Sequence, residues 1–336
     1  MRAVVSDPEK FHGIGIGILP LPKPSPDEAL VRIETVSLNP GELRAPSARP
    51  RLGRDLCGVV EQAAANGQGP RSGTRVVGML PKGGAFAEYA AVPIDNLAQL
   101  PESVSMAQAA SLPVAGLTAL IALERGGLLL GRKVLITGAS GGVGLFGVQL
   151  AHAAGAVVTA ALRSAERSTL VEHAGAKEVI VGAVDPKACP LQSFILDTVG
   201  GSAILTWLDL LERRGMLVSI NRSIPAGDTL VAPFEYNRFL EREITLQSFY
   251  VFDELEGRRI STKLELLVGL VARGELKPHI GREASWADIN AQVEALCFKD
   301  RFQVRSSCTS TELDVYHRQS NVTDGVDETP AQFIRH

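Results

Sequence analysis

The stretch Val134-Leu-Ile-Thr-Gly-Ala-Ser-Gly-Gly-Val-Gly-Leu-Phe-Gly-Val-Gln-Leu-Ala151 restricts the fold more than any other part of the chain. Val134 to Ile136 form a short apolar run suited to a strand buried on both faces. Glycines follow at Gly138, Gly141, Gly142, Gly144 and Gly147. A helical pattern then runs through Leu145, Val148, Leu150 and Ala151 and stops at Gly155, a C-terminal cap. Strand, glycine turn and helix make the first half of a βαβ unit. Such glycines let backbone approach a pyrophosphate, and the N–H groups of the helix start favour an anion. An ordinary tight turn needs fewer. The stretch predicts a nucleotide site over Ser140, Gly141, Gly142, Val143 and Gly144.

The chain around it changes character twice. Residues 1–113 read as strand after strand (Ala29–Val36, a run from Gly53 to Val60, Thr74–Gly78, Ala85–Val92) without intervening helices, the pattern of an antiparallel, barrel-like domain. From 114 to 255, stretches at Ala156–Ala161, Glu178–Val181, Phe194–Gly201 and Gly215–Ile220 alternate with helices, which predicts a doubly wound parallel sheet. Residues 256–305 carry an amphipathic helix over Ser261–Arg273 and a second from Trp286, returning to the first domain. Residues 306–336 are polar and without sustained period, and read as a poorly packed tail.

A chain of 336 residues has material for two domains, and a net charge of -3 supplies no basic field for nucleic acid. No apolar run reaches membrane-spanning length and the N-terminus lacks a signal-peptide pattern, so the expected place is the cytoplasm, with no membrane partner. The cysteines (Cys57, Cys189, Cys297, Cys308) are scattered with no C-x-x-C pair, which speaks against a zinc knuckle or redox dithiol. His12, His152, His173 and His279 show no carboxylate or metal partner in sequence and read as surface or helix histidines.

Four stretches occur in one family's order: Gly84-Ala-Phe-Ala-Glu-Tyr89, Pro113-Val-Ala-Gly-Leu-Thr-Ala119, the glycine turn Thr137–Gly144, and Leu196-Asp-Thr-Val-Gly-Gly201. On these the chain resembles the medium-chain dehydrogenase/reductase superfamily, in its zinc-independent quinone oxidoreductase and enoyl reductase branch, over roughly residues 28–302. The resemblance implies an α/β protein in which a GroES-like, β-rich catalytic domain from both chain ends surrounds a doubly wound Rossmann domain. The cofactor would lie in the cleft between them. Zinc-dependent members carry a metal-ligand cysteine where this chain reads Ser37-Leu-Asn-Pro-Gly-Glu42, and Gly-His-Glu where it reads Gly53-Arg-Asp55. Neither place offers sulfur or imidazole, so no metal is expected. The short-chain dehydrogenases share the glycine pattern but need Tyr-x-x-x-Lys, and no tyrosine here has a lysine four residues on.

An NAD-selective Rossmann domain ends its second strand with an acid that binds the ribose 2′-hydroxyl. Here that strand is followed by Leu162-Arg-Ser-Ala-Glu-Arg167. Arg163, Ser164 and Arg167 suit a 2′-phosphate, and Glu166 falls at a helix start where it offsets the dipole, so the expected cofactor is NADPH. Without a metal, the substrate must be an electron-poor small molecule: a quinone or an α,β-unsaturated carbonyl. The resemblance offers Asn39 as a donor to the substrate oxygen and sets Asp55 beside the lost ligand position. Asn39 reads equally as a turn residue before Pro40, and Asp55 as a structural acceptor. By the same resemblance Thr118 lies near the nicotinamide. Ile220, Asn221 and Arg222 follow the cofactor's path, and Ser248, Phe249 and Tyr250 line the nicotinamide pocket, unless the two aromatics belong to a core or a dimer edge. A homodimer through residues 244–252 is expected on the same ground. Alternative functions are an enoyl-thioester reductase and a non-catalytic NADPH-binding sensor or structural subunit. One departure stands out: the family's final apolar strand is replaced by the polar tail, which threatens the catalytic domain with the loss of an edge strand.

Overall fold

The computed structural model describes residues 1–7, 9–10, 13–39, 41, 52–220, 233, 236–255, 257–292, 294 and 331–335. Asn221 and Arg222, and residues 306–330 and 336 of the polar tail, lie outside the described residues.

The middle of the chain forms a six-stranded sheet from β8 (Lys133–Thr137), β9 (Val157–Leu162), β10 (Glu178–Val181), β11 (Gln192–Asp197), β12 (Leu211–Ser219) and β13 (Thr245–Ser248). Its order is β10-β9-β8-β11-β12-β13 and every pairing is parallel. Val134, Leu135 and Ile136 are wholly buried, as the apolar run requires of a strand covered on both faces. The chain winds outward from β8 through β9 to β10, then returns to β11 and winds the other way. The switch point therefore falls between β8 and β11, where open α/β sheets bind ligands beyond their strand ends.

The β-rich part begins with a hairpin the sequence reading missed, β1 (Arg2–Ser6) against β2 (Ile14–Ile18). A second sheet runs β14-β15-β3-β4-β5-β7, with β6 also pairing β3. Its members are β3 (Glu28–Leu38), β4 (Asp55–Gln62), β5 (Arg75–Met79), β6 (Tyr89–Pro93), β7 (Leu97–Gln99), β14 (Ile280–Ser285) and β15 (Ala331–Arg335). Both chain ends thus supply this sheet. The expectation of an unpacked tail to residue 336 is corrected at its end. Ala331–Arg335 lies between β14 and β3, parallel to the first and antiparallel to the second. The physical cause is an open backbone edge. Strand β6 pairs only Glu28 to Arg32 of β3, so Thr35–Leu38 would otherwise present unpaired N–H and C=O groups.

Between the two sheets runs a helical stretch, Met106–Ala110, the π-helical Leu112–Gly116 and Leu117–Arg125. Ser105 opens it with a capping box closed by Gln108. The boundary drawn at 113/114 falls inside this stretch. One core cluster joins Cys57, Val77, Met79 and Ala98 of the β-rich part to Val134, Ile136, Phe194 and Leu196 of the parallel sheet.

Candidate active site

The glycine turn connects β8 to the helix Gly142–Ala153. Gly138 has φ +56°, and a Cβ there would sit 2.5 Å from Thr198 Oγ1. A Cβ on Gly144 would fall inside Gly138 O and 2.8 Å from Ala139 Cα. These two glycines are demanded by the protein itself. Gly142 is not: a Cβ there would meet only Ala115 Cβ, at 3.8 Å. The N-cap, Gly141, has no side chain to cap the helix, so its first N–H groups are left to an outside acceptor. A nucleotide diphosphate fits such a cradle.

Behind the turn lies a network that the sequence reading did not find. Asp197, the last residue of β11, is wholly buried. Its Oδ1 accepts from Thr137 Oγ1 (2.8 Å), Val199 N (3.2 Å) and Gly200 N (3.1 Å). Its Oδ2 accepts from Gly200 N (3.1 Å) and Ser219 Oγ (2.9 Å). Thr137 also accepts from Thr198 N and takes the Thr198 hydroxyl on its carbonyl. One carboxylate thus ties the C-terminal ends of β8, β11 and β12 at the switch point. Leu196-Asp-Thr-Val-Gly-Gly201 was visible as a motif; the acceptor role of its aspartate was not.

A second network lies on the β-rich side. Asp55, at the start of β4 and wholly buried, accepts from Asn39 Nδ2 and from Val114 N, each at 2.8 Å. Val114 O in turn accepts from Thr118 Oγ1 at 2.6 Å. Pro113 lacks an N–H and interrupts the helical ladder here. The sequence candidates Asn39, Asp55 and Thr118 are therefore joined through one residue of the π-helical turn. In this arrangement Asp55 is an internal acceptor that fixes the Asn39 amide.

The other candidates are distributed as follows. Arg163 and Ser164 are exposed just past β9, where no acid stands, and Arg167 is half-buried at the end of the following 3-10 turn. Ser140 is buried in the glycine turn, with Gly141, Gly142 and Val143 half-buried beside it. Ile220 and Phe249 pack on the main core, and Ser248 closes β13 in an exposed position. Arg125 places its guanidinium 4.6 Å from the Phe249 ring centre and pairs with Glu254 at 2.8 Å. Tyr250 meets Phe252 edge-on at 4.9 Å. Arg54, only 8% exposed, reaches across from the β-rich part to lie 3.9 Å over Phe252, with its Nε donating to Pro81 O. The segment Phe249–Leu255 is thus pinned by cations from two sides.

Among the described residues, no three His, Cys, Asp or Glu side chains gather as a metal would need. Cys57, the thiol nearest the altered ligand positions in sequence, is fully buried with Sγ 3.0 Å from Met106 Sδ, and burial pushes its pKa far above the usual thiol range. Such a thiol is inert.

Two family models match in order along the chain: an alcohol dehydrogenase GroES-like domain over residues 25–102 and a zinc-binding dehydrogenase over 142–268. The human protein named NAD(P)H oxidoreductase RTN4IP1, mitochondrial, is 34% identical over 247 residues, which are 63% of this chain and 60% of that one. A quinone oxidoreductase of Pseudomonas aeruginosa is 29% identical over 284 residues, 78% of this chain and 85% of its own. The solved quinone oxidoreductase of Pseudomonas syringae superposes with a TM-score of 0.75 at 26% identity, covering 87% of this chain and 95% of that one. The chain spans only 48–60% of the length of the mammalian relatives it matches. With both domain types in the family's order and a matching fold, this chain belongs to the medium-chain dehydrogenase/reductase superfamily.

Proposed function

We propose that the protein is an NADPH-dependent, zinc-independent oxidoreductase acting on a quinone or an α,β-unsaturated carbonyl. The observation that carries this reading is the uncapped helix start at Gly141, which follows β8, together with the end of the neighbouring strand β9, where Arg163 and Ser164 stand in place of an acid. The names of the relatives support an oxidoreductase that uses a nicotinamide cofactor. NADPH, when bound, supplies the hydride. The glycine turn holds the diphosphate, and Arg163, Ser164 and Arg167 meet the 2′-phosphate. Asn39, fixed by Asp55, presents its amide toward a substrate oxygen and stabilises the charge that develops there. Phe249 and Tyr250, held by their cationic and aromatic neighbours, keep water from the nicotinamide end. Among the described residues no cluster of His, Cys, Asp or Glu could hold a zinc ion, and the reading therefore favours acceptors already electron-poor.

The test is oxidation of NADPH with 1,4-benzoquinone, an enone and an enoyl thioester side by side. Turnover of either of the first two supports the reading. Turnover of the thioester alone assigns the enoyl-thioester reductase instead, and NADPH binding with no turnover assigns a sensor. Cofactor choice is tested separately. Arg163→Ala is expected to weaken NADPH by about 1.5–3 kcal/mol, the scale of a hydrogen bond to a charged group. NADH, which has no 2′-phosphate, should bind as before. Titration of both cofactors by nicotinamide fluorescence decides it, and equal losses refute the assignment.

A homodimer belongs to the same proposal. Among the described residues strand β13 ends the parallel sheet, and Leu246 on it and Tyr236 and Leu240 on the preceding helix are exposed. We also place the protein in the cytoplasm. Among the described residues no helix is long and apolar enough to cross a membrane.

A further inference from the structure

His279, read from sequence as a plain surface histidine, sits in the structure at the rim of the pocket that the glycine turn forms. The same pocket is lined by Ser111, Ser140, Gly141, Gly142 and Gln149. Its position is fixed from behind. Gln149, on the helix that the turn opens, accepts from Lys277 N at 2.7 Å and donates to Lys277 O at 3.1 Å. Pro278 then limits the backbone between that clamp and the imidazole.

We propose that His279 is a cofactor-contacting residue, whose imidazole meets the diphosphate received by the glycine turn and takes up a proton from solvent as the cofactor binds. The inference rests on the nucleotide reading above. Partial withdrawal from water, and then the Arg167 charge, hold the His279 pKa below its ordinary value. The helix start adds a second positive potential to that of Arg167. The turn, the helix and Ser111 present hydroxyls, an amide and apolar side chains, and no carboxylate is among the described residues lining the pocket. Along its own segment, Lys277, Arg282 and Glu283 flank the imidazole, while Glu275 pairs with Arg273 at 2.7 Å. In the ligand-free protein these surroundings favour the neutral imidazole. An arriving diphosphate reverses the balance, because its negative charge favours the imidazolium.

The sign follows from linkage. Binding raises the His279 pKa from its depressed value, so the extra affinity is fully present below the free pKa and is lost as pH rises through the bound one. A rise of one unit corresponds to about a tenfold gain in affinity between the two limits. Calorimetric titration of NADPH and NADH, at about pH 6 and in two buffers of different ionisation enthalpy, measures the protons taken up. Wild type is expected to take up a fraction of a proton with either cofactor, and His279→Gln to take up less by that fraction. The 2′-phosphate of NADPH titrates near this pH as well, but it does so equally in both proteins and cancels in their difference. At about pH 8, where the imidazole is neutral before and after, the two proteins should bind NADH within a factor of about two.

Equal proton uptake by the two proteins, with cofactor still bound, overturns the His279 assignment and leaves the nucleotide reading intact. A difference seen with NADPH but not NADH overturns the diphosphate contact and moves the imidazole to the 2′-phosphate. Binding of neither cofactor by wild type overturns the nucleotide reading itself, and this inference with it.

Discussion

Asp197→Ala is expected to lower the stability of the protein by about 3–5 kcal/mol, because it strips a buried network of its central acceptor. Four donors converge on this carboxylate: the Thr137 and Ser219 hydroxyls and the Val199 and Gly200 amides. Alanine leaves them around a side-chain position that is wholly buried in the native structure. Two are backbone N–H groups that cannot rotate toward another partner, and each unsatisfied group costs about 1–3 kcal/mol. Asp197→Asn keeps one carbonyl oxygen for the two amides, and Ser219 can turn to accept from the new NH2 group. It should therefore cost less than half as much. Urea unfolding followed by circular dichroism separates the two, and equal stability of the alanine variant and wild type would refute the role. A functional consequence comes with it. The Asp197 network holds the ends of β8, β11 and β12 together, and the glycine turn leaves from the end of β8. NADPH binding should weaken in both variants, in the order of their stability loss.

The sequence made the β8–turn–helix unit legible because local constraints write it: an apolar run, then glycines forced by close backbone approach, then a helical period. Strands β9 and β11 were legible for the same reason, since strands buried on both faces carry apolar runs. The Asp197 network was not. Its members Thr137, Asp197 and Ser219 are 60 and 22 residues apart, and only the sheet order brings β8, β11 and β12 side by side. His279 was hidden likewise, because its meeting with the glycine turn depends on where the chain returns after the helix Ser261–Ala272. The hairpin of β1 and β2 escaped notice because Ile14-Gly-Ile-Gly-Ile18 alternates isoleucine with glycine, which has weak strand preference. In the tail, polar composition over 306–330 masked the short Ala331-Gln-Phe-Ile-Arg335 run, whose pairing is dictated by an unfilled edge far away in the chain.

The glycine turn yields the sharpest separation between what folds the chain and what the chain is for. Gly144→Ala places a methyl group inside Gly138 O and 2.8 Å from Ala139 Cα, both backbone atoms of the turn that cannot yield without moving the end of β8. Overpacking of a closed site costs about 1–3 kcal/mol even where side chains can shift, and here none is available to shift. Gly144→Ala should therefore lower stability by at least about 3 kcal/mol and weaken NADPH binding by more than a hundredfold, since the helix start would be displaced. Gly142→Ala is expected to behave differently. Its new methyl would meet only Ala115 Cβ, at an ordinary contact distance of 3.8 Å. At the first turn of a helix, alanine is also the better helix former by about 1 kcal/mol. Thermal unfolding of Gly142→Ala should match or exceed that of wild type. Its NADPH affinity should fall about tenfold or more, because the methyl would occupy the cradle proposed for the diphosphate. Thermal melts and NADPH titrations of the two variants decide the matter together. If Gly142→Ala bound NADPH as wild type does, the diphosphate would lie elsewhere, and the glycine at 142 would be left without a reason in either fold or function.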